Sequence, residues 1–402
     1  MLRPIQILIL TLIIIPVLAA CTPADNTEDM TAKEKRENLL IWSYYETEAQ
    51  STGLDQIIDA FNASQDKYSA SWEYVPMSEF DKRIARAYTE QELPDIVIID
   101  NPDMQKFIQM DMFEDISNYA KTLDLENSYY SSAVSTVRYN GKYYGVPFNS
   151  NNVCLIYRPD LLAKYNVEVP ETWDEFDEAA HALTKDGNYG FLMSTIDSEQ
   201  GAFQLMSWIM AASESETSVD ASAISDTFTL LCKLTNDGCM SVDCMNYNQN
   251  DVARRFIKGD IAMMENGPWV LPLLNSSGID FALAPMPYYK RNAVILGGEN
   301  LGIVKGKNVD GSIEFIKFCM ETGEVEKFCK YSALLPGRIT AAEELTAEIP
   351  ELSVIKAQMD YSVARPCIKD YGSISSHLTS LFNSTITGDI TPEKAAENIL
   401  YK

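Results

Sequence analysis

The sequence predicts an α/β protein, because short apolar runs alternate along the chain with segments of helical periodicity. The clearest run is Ile-Val-Ile-Ile at 96–99, which has the continuous apolar character of a strand buried on both faces. Such alternation indicates a mostly parallel sheet with helices packed on its faces. The length of 402 residues and the hydrophobic content of 46% are sufficient for two domains of ordinary size.

The N-terminal residues form a pattern that is typical of a secretory signal. Arg3 precedes an apolar run over residues 5–18, and small residues then lead to Cys21. The run is short for a membrane span, so residues 1–20 are expected to be a signal peptide. The ending Leu-Ala-Ala-Cys resembles a bacterial lipoprotein box, which implies acylation of Cys21 and anchoring to the cell membrane; an ordinary signal with a chance cysteine is the alternative. Residues 21–38 are then expected to be the lipidated cysteine and a polar, flexible tether.

The first part of the folded region alternates strands and helices. A short apolar run at 39–42 predicts a buried strand. The helix that follows is indicated by Leu54, Ile57, Ile58 and Phe61, which share one face at the spacing i, i+3, i+4, i+7. The next predicted elements are a strand at 72–75, a helix at 78–90 and a strand at 95–100.

Turn and capping residues define the elements of the second part. Asn140 and Gly141 predict the two-residue turn of a hairpin over 137–146, because both residues accept positive φ angles. Thr172 followed by Glu175 is a capping box that opens a helix. The further predicted elements are a strand at 153–157, a helix from about Asp251 to Gly259, a strand at 261–264 and a last helix after Thr391-Pro392.

The charge and the cysteines restrict the possible partners and sites. A formal net charge of −26 repels nucleic acid and anionic lipid surfaces, and it disfavours an anionic substrate. No metal site is expected, because the spacing of Cys232, Cys239 and Cys244 matches no zinc motif and both histidines are distant in sequence. One disulfide within this trio or between Cys319 and Cys329 is predicted as one possibility, and buried free thiols are the other.

Several sequence blocks occur in a recognisable order along the chain. The most distinctive block is 256–264 followed by Asn-Gly-Pro-Trp at 266–269, and the others are 93–100, 141–147, 155–162, 170–175, 297–303 and 335–338. This order resembles the extracellular solute-binding proteins of bacterial ABC importers, of the carbohydrate-binding type that includes maltose-binding protein. No single block is specific, so the resemblance depends on their order over nearly the whole mature chain.

The resemblance implies a two-lobed fold, in which each lobe is a mostly parallel sheet flanked by helices and the ligand cleft lies between the lobes. One lobe would hold residues 39–148 plus 288–335, and the other residues 149–287 plus 336–402. The lobes would close over a small solute by hinge motion and present it to a membrane permease formed by other chains. A monomeric, non-enzymatic protein without a cofactor is therefore expected, held to the membrane by its lipid alone.

A sugar-binding site needs flat aromatic surfaces for the apolar faces of the sugar, and carboxylates or amides for its hydroxyl groups. In an open α/β sheet such side chains gather just beyond the carboxyl ends of the strands. The resemblance further implies that Trp269 lines the sugar pocket. The predicted ligand-binding residues are Tyr44, Tyr45, Glu46, Asp100, Asn101, Asn149, Asn151, Gln204, Trp208, Asn266, Trp269, Glu299, Asn300, Arg338 and Tyr371.

Some of these residues have a structural alternative. Tyr44 and Tyr45 point to opposite faces of an extended chain, so only one of them is expected to reach the ligand. Asp100 could serve only as a helix N-cap, and Trp269 could belong to the core, although its position in a loop favours the pocket.

The remaining tryptophans and the basic residues leave further alternatives. Gln204 and Trp208 share one helical face, which suits the core as well as the cleft. Trp42 and Trp173 are assigned to packing. Apart from Arg338, which is placed at the last crossover, no basic residue is predicted in the cleft, and this disfavours phosphorylated or acidic sugars.

Three other functions remain as alternatives at this stage. An extracellular hydrolase acting on glycans could use paired carboxylates, but no pair stands out among the 58 acidic residues. The sequence has neither His-Glu-x-x-His nor Gly-x-Ser-x-Gly, so a zinc or serine hydrolase is poorly supported. A structural or adhesive role is disfavoured by the α/β alternation and the lack of repeats, and a binding role for a non-sugar solute stays open.

Overall fold

Two sheets, built from different parts of the chain, organise the structure. The computed structural model describes residues 36–321 and 323–400. The predicted signal peptide, Cys21 and the predicted tether up to residue 35 lie outside these residues.

The described chain contains fifteen strands. They are β1 Glu37–Ser43, β2 Tyr68–Tyr74, β3 Ile96–Asp100, β4 Arg138–Tyr139, β5 Lys142–Tyr143, β6 Gly145–Pro147, β7 Asn149–Ser150, β8 Cys154–Tyr157, β9 Tyr189–Leu192, β10 Ile261–Asn266, β11 Ala282–Ala284, β12 Val294–Leu296, β13 Glu299–Ile303, β14 Leu335–Pro336 and β15 Ser362–Ala364.

Helices connect the strands and cover both sheets. They are α1 Glu48–Ser64, α2 Phe80–Glu90, α3 Asn101–Gln109, α4 Ser117–Thr122, α5 Leu125–Ser128, α6 Ser131–Val137, α7 Pro159–Tyr165, α8 Trp173–Leu183, α9 Glu199–Ala212, α10 Ala221–Asn236, α11 Gln249–Lys258, α12 Leu271–Ser277, α13 Val309–Glu321, α14 Glu324–Ser332, α15 Ile339–Glu348, α16 Leu352–Gln358, α17 Tyr371–Ile386 and α18 Pro392–Leu400.

The first sheet has the strand order β2-β1-β3-β13-β6. β1 runs parallel to β2 and β3, whereas β13 is antiparallel to both of its neighbours. All five residues of β3 are buried, as its uninterrupted apolar sequence predicts. Because β13 is separated from β6 in sequence by the whole second sheet, this lobe is built from discontinuous chain.

The second sheet has the strand order β11-β8-β10-β9, and only the pair β9 and β10 is parallel. Each sheet therefore contains one reversed strand, β13 in the first sheet and β8 in the second, and the other strands of each sheet run in the same direction, as the predicted mostly parallel sheets require. The physical reason for the reversal is that strands such as β13 enter a sheet from the other lobe, and a strand that returns across a crossover meets its neighbour in the opposite direction. The α/β class and the two-lobed architecture are confirmed.

Two short ladders lie where the chain crosses between the lobes. β7 pairs with β14, and β12 pairs with β15. An isolated bridge joins Asn151 to Gly297 beside the first ladder. These positions are close to the predicted lobe boundaries at 148, 288 and 335, and the boundaries themselves stay a prediction.

Most local elements that the sequence predicts are present. Asn140 and Gly141 have φ angles of 49° and 76° and join β4 to β5, which confirms the hairpin. Thr172 and Glu175 form a complete capping box at the start of α8. One boundary differs, because β1 begins at Glu37 and so takes two residues that were assigned to the tether.

The predicted disulfides are absent from the described part of the chain. Cys154, Cys232, Cys239, Cys244, Cys319 and Cys329 are buried free thiols, and Cys367 is an exposed one. Burial raises the pKa of the Cys232 thiol to about 12 and that of Cys244 to about 11, which disfavours the reactive thiolate form. The described residues likewise contain no cluster of metal-ligating side chains, and none of the helices among them is long and apolar enough to span a membrane.

Candidate functional site

A cavity of about 720 Å³, including its part open to solvent, is lined by residues of both lobes. Its walls combine aromatic rings, carboxylates and amides, with a single guanidinium. The aromatic residues are Tyr44, Phe203 and Trp269; the carboxylates are Glu46, Asp100, Glu199 and Glu299; the cation is Arg365; and the amides are Gln50, Asn151, Gln200, Gln249 and Asn250. Thr47, Met77, Gly297 and Gly298 complete the lining.

Glu299 is the first residue of β13, and the ladder to β3 places it directly opposite Asp100. Tyr44 donates its hydroxyl hydrogen bond to Glu299 Oε1 at 2.9 Å, and Tyr45 donates to Oε2 at 3.3 Å. Asn149 in turn donates to the Tyr45 hydroxyl oxygen at 2.8 Å. Burial, followed by the charge of Asp100, raises the pKa of the Glu299 carboxyl to about 7. This carboxyl is therefore balanced between its neutral and charged forms near neutral pH.

Asp100 ends β3 and has two roles at once. Its Oδ1 accepts from the backbone N–H of Asn101 at 2.8 Å, which caps α3 as the sequence alternative suggested. The same oxygen accepts from Arg365, while the side chain also lines the cavity. Burial raises the pKa of Asp100, and the Arg365 guanidinium acts against this by favouring the charged form.

Two glycines allow the lobes to approach each other beside Glu299. Gly298 has a φ of +117°, and a Cβ atom there would lie 2.4 Å from the backbone oxygen of Asn149. A Cβ at Gly297 would lie 2.0 Å from Asn151 Oδ1. Only glycine fits both positions, so the Gly-Gly pair fixes the turn that presents Glu299 to the cavity.

Trp269 forms another part of the cavity wall. It follows Gly267, where a Cβ atom would lie 1.9 Å from the indole ring, so the ring lies directly against the glycine backbone. Its centroid is 6.2 Å from that of Phe203. Asn266 supports the loop from behind, because its side chain donates to the backbone oxygen of Gln249 at 2.8 Å. The loop thereby presents one flat indole surface to the cavity.

The structure divides the predicted site residues into three groups. Tyr44, Glu46, Asp100, Asn151, Trp269 and Glu299 line the cavity. Tyr45 and Asn149 lie directly behind it, where Tyr45 donates to Glu299 and Asn149 donates to Tyr45. The others, which are not part of the lining, are Asn101, Gln204, Trp208, Asn266, Asn300, Arg338 and Tyr371.

The residues of the third group have identifiable structural partners. Asn300 donates to Asn101 at 2.9 Å inside the first lobe. Arg338 lies over the ring of Tyr129 at 5.7 Å. Tyr371 donates its hydroxyl to Glu199 and lines a neighbouring groove.

Gln204 and Trp208 lie on the face of α9 that packs against the core, which is one of the two positions that the sequence left open for them. Gln204 donates to the backbone oxygen of Glu265 on β10 at 2.9 Å, and Trp208 donates to the Glu265 carboxyl at 2.7 Å. These bonds attach α9 to the second sheet.

Sequence reasoning missed the face of α9 that reaches the cavity. Glu199, Gln200 and Phe203 lie at its N-terminal end and all line the wall. The sequence Ser198-Glu199 indicates the start of a helix, so the position of these residues could have been predicted. Helical spacing alone, however, does not show which face of that helix lines a cleft. Arg365 was also missed, since a charged residue next to Pro366 gives no sign that it is 2% exposed.

The comparisons with known proteins agree with this fold. A family model described as bacterial extracellular solute-binding protein matches residues 56–355. The multiple sugar-binding protein of Streptococcus mutans is 21% identical over 335 residues, which cover 77% of each chain.

Solved structures agree over nearly the whole length. The GacH receptor of Streptomyces glaucescens has a TM-score of 0.81 at 22% identity, covering 91% of this chain and 97% of its own. The maltose-bound MalE3 of T. maritima has a TM-score of 0.81 at 21% identity, covering 90% and 97%. At this identity the structural similarity establishes the fold, and the family model covers most of the chain.

Proposed function

The chain belongs to the bacterial extracellular solute-binding proteins, and from this premise we propose that it captures a neutral sugar or oligosaccharide between its two lobes and delivers it to an ABC permease. The family binds solutes outside the cytoplasm and is not a family of enzymes, which removes the hydrolase alternative. The sugar is proposed on the chemistry of the cavity. Sugar ligands are also named for the Streptococcus relative and for MalE3.

One observation carries the assignment to a sugar: flat aromatic rings and hydrogen-bonding side chains face the same cavity. Trp269 and Tyr44 offer surfaces for apolar sugar faces, while Asn151 and Glu299 offer acceptors for hydroxyl groups. Such a combination suits a ligand that is apolar on its faces and polar around its edge. We therefore propose Trp269 as the stacking surface and the carboxylates as hydroxyl acceptors.

The charges of the cavity favour a neutral ligand over an anionic one. Arg365 is the single cation of the described lining, and its guanidinium is already bound to the carboxylates of Asp100 and Glu199. The remaining carboxylates, Glu46 and Glu299, have no cation among the lining residues. A phosphate or carboxylate ligand would meet the charge of Glu46 and the partial charge of Glu299 without a free cation in the described lining, which is unfavourable.

Membrane attachment forms a separate part of the proposal. We propose that Cys21 is acylated after removal of residues 1–20, because the Leu-Ala-Ala-Cys sequence precedes a polar segment. The protein would then act as a monomer, tethered to the membrane by its lipid, with permease subunits as partners. Mass spectrometry of the protein purified from bacterial membranes should show the lipid mass on a peptide that begins at Cys21.

The test of the binding function is a thermal-shift screen of the purified protein. The panel holds monosaccharides, maltose, maltotriose and longer oligosaccharides, with amino acids and oligopeptides beside them. A ligand at one hundred times its dissociation constant stabilises the native state by about 2.7 kcal/mol, which is easily detected as a rise in Tm. A rise with peptides or amino acids and none with any sugar would contradict the carbohydrate assignment.

Trp269→Ala should abolish or strongly reduce the rise in Tm that a sugar produces. The reason is the loss of the flat surface that lies against Phe203 at the cavity. Trp72→Ala is the matched control, because Trp72 lies on β2 and its indole nitrogen donates to Asp55, away from the cavity. The control should keep the full rise, and equal losses in both variants would count against Trp269 as the stacking surface.

A further inference from the structure

A groove continues from the cavity along the surface of the protein. We call it the α3–α17 groove, because one wall consists of α3 residues between 102 and 110 and the other of residues between 366 and 376, around the start of α17. Met77, Glu199 and Gln200 line both the cavity and the groove. The two spaces are therefore continuous at these three residues.

The groove is larger than the cavity that it adjoins. Its volume is about 2250 Å³, against about 720 Å³ for the cavity, each including the part open to solvent. Pockets for small ligands have volumes of about 300–1,000 Å³, so the cavity alone has the size of such a pocket. The groove adds space for a ligand that is much longer than the cavity.

The walls of the groove offer unused hydrogen-bonding groups. Serine, glutamine and aspartate side chains make up most of the lining. Among them, the side chains of Ser78, Gln200 and Ser373 make no hydrogen bond within the described chain. Gln200 is half-buried at the junction with the cavity. Because amide and hydroxyl groups both donate and accept, these side chains suit a ligand rich in hydroxyl groups.

The groove differs from the cavity in having no accessible aromatic surface in its described lining. Its one aromatic residue there, Tyr371, is 7% exposed, and its hydroxyl donates to Glu199. Ser375 also donates to Glu199, at 2.6 Å. These bonds fix the carboxylate in the wall between groove and cavity. A sugar unit in the groove would therefore be held at its hydroxyl edge, while stacking on Trp269 is restricted to the cavity.

The charge of the groove favours the same kind of ligand as the charge of the cavity. Lys106 is the single cation of the described lining, whose carboxylates are Asp103, Asp197, Glu199 and Asp370. An acidic oligosaccharide would meet an excess of negative charge along this path. A neutral chain meets no such repulsion.

We propose that the ligand is an oligosaccharide, of which one end occupies the cavity at Trp269 while the following units pass Gln200 and lie in the α3–α17 groove. This inference rests on the proposed capture of a sugar, and it adds the length of the ligand and the path of its chain. A single sugar would leave the groove to water. Each unit in the groove gains hydrogen bonds, and two such bonds of modest net strength tighten binding by roughly tenfold.

The experiment is isothermal titration calorimetry of the purified protein with linear malto-, cello- and xylo-oligosaccharides of one to six units. Within the series that binds, the dissociation constant should fall by about tenfold or more from the shortest to the longest sugar. Equal affinity at all lengths would overturn this inference and leave the proposed capture of a sugar intact. Binding of no sugar at any length would contradict the proposed function itself, and this inference with it.

Gly372→Trp tests the path of the chain. Gly372 lines the groove, and a Cβ atom there would have no other atom within 4 Å, so an indole fits without a clash and fills part of the groove. The quantity compared is the ratio of the affinities for the longest and the shortest sugar. This ratio should fall toward one in Gly372→Trp. A folded variant that keeps the wild-type ratio would overturn the proposed path.

Ser380→Trp is the matched control. Ser380 is exposed on the same helix but outside the groove lining, and it donates to the backbone oxygen of His377 at 3.2 Å. The control should keep the wild-type ratio, and an equal fall in both variants would assign the effect to the helix as a whole and overturn the proposal.

A second variant covers the case in which Gly372→Trp does not fold, as judged by circular dichroism. Gln109→Trp adds the same bulk from the other wall, because Gln109 is exposed at the end of α3 and lines the groove. It should also lower the ratio, and a folded Gln109→Trp variant with the wild-type ratio would overturn the proposal.

Discussion

At the scale of single residues, two buried carboxyl groups differ in their surroundings. Glu299 accepts hydrogen bonds from Tyr44 and Tyr45, whereas Glu265 accepts from Trp208 alone and leaves Oε1 without a partner in the described structure. Burial raises the pKa of Glu265 well above its ordinary value, and Trp208 lowers it only in part. The Glu265 carboxyl therefore keeps its proton to a higher pH in the folded protein than in the unfolded chain.

Substitution Glu265→Gln should flatten the pH dependence of stability. In wild type the folded state keeps a proton that the unfolded chain releases above about pH 4.5, the ordinary value of a glutamate. The native state then binds more protons than the unfolded state, so the free energy of unfolding falls as pH rises, by about 1.4 kcal/mol per unit for one group. Urea unfolding at pH 5, 6.5 and 8 should show this contribution in wild type and its loss in the variant.

The matched control for this prediction is Glu314→Gln. Glu314 is exposed and pairs with Lys317, three residues further along α13. The control should keep the wild-type slope of stability against pH. A slope that stays the same in Glu265→Gln would contradict the raised pKa of that buried carboxyl.

Gly298→Ala should destabilise the protein by about 2–4 kcal/mol. The new Cβ would meet the backbone oxygen of Asn149 at 2.4 Å, and φ of +117° is strained for alanine. Gly372→Ala serves as the control, because it lies in α17 with no atom within 4 Å of the added carbon and should be neutral or slightly stabilising. Urea unfolding measures both, and equal stabilities would show that the turn at Gly298 relaxes.

At the scale of elements, α8 shows why local signals are reliable. Its capping box consists of atoms only three residues apart, so Thr172 and Glu175 suffice to predict it. The hairpin at Asn140 depends equally on two neighbouring residues. The face of α9 that lines the cavity could not be predicted in the same way. Almost the whole helix is buried, so the face toward the cavity and the face toward the core have similar residues and differ only in their tertiary contacts. Spacing places Gln204 and Trp208 together, but Glu265 on β10 decides that they face the core.

Thr172→Ala should reduce the free energy of unfolding by about 1 kcal/mol. The alanine leaves the N–H of Glu175 without its side-chain acceptor and breaks the reciprocal box. Thr89→Ala is the control, since Thr89 is exposed inside α2 and donates only to the oxygen of Ala85. It should be neutral, because alanine is the better helix former. Stabilities of both variants follow from urea unfolding, and equal losses would argue against a specific capping effect.

At the scale of the whole molecule, the order of elements is more predictable than the site. The two-lobed fold follows from the sequence blocks, and the end of β3 directs attention to Asp100, which lines the cavity. Arg365 could not be found in this way, because it meets Asp100 and Glu199 only in the folded chain, and these residues lie 265 and 166 positions away in sequence. The same holds for the cysteines, because their spacing permits disulfides and only the structure shows that the thiols it describes are free.

Reducing agent should therefore leave Tm unchanged. Of the seven cysteines in the described residues, one thiol, that of Cys367, should react rapidly with a thiol reagent in the native protein, and all seven should react after unfolding in urea. Cys367→Ser removes the rapid reaction and is the control for its assignment. A fall in Tm on addition of dithiothreitol would reveal a stabilising disulfide and contradict the free state of these thiols.

The position of β13 has a consequence for how the protein is made. This strand separates β3 from β6 in the first sheet, so the sheet lacks its central connection until the ribosome has synthesised the chain as far as Ile303. Contacts between residues so distant in sequence form slowly, because a long loop must close before they are gained. A fragment that ends before β13 should stay unfolded and sensitive to protease. The nascent chain consequently remains unfolded for most of its synthesis. An unfolded chain can be translocated across a membrane, as a protein that acts outside the cytoplasm requires.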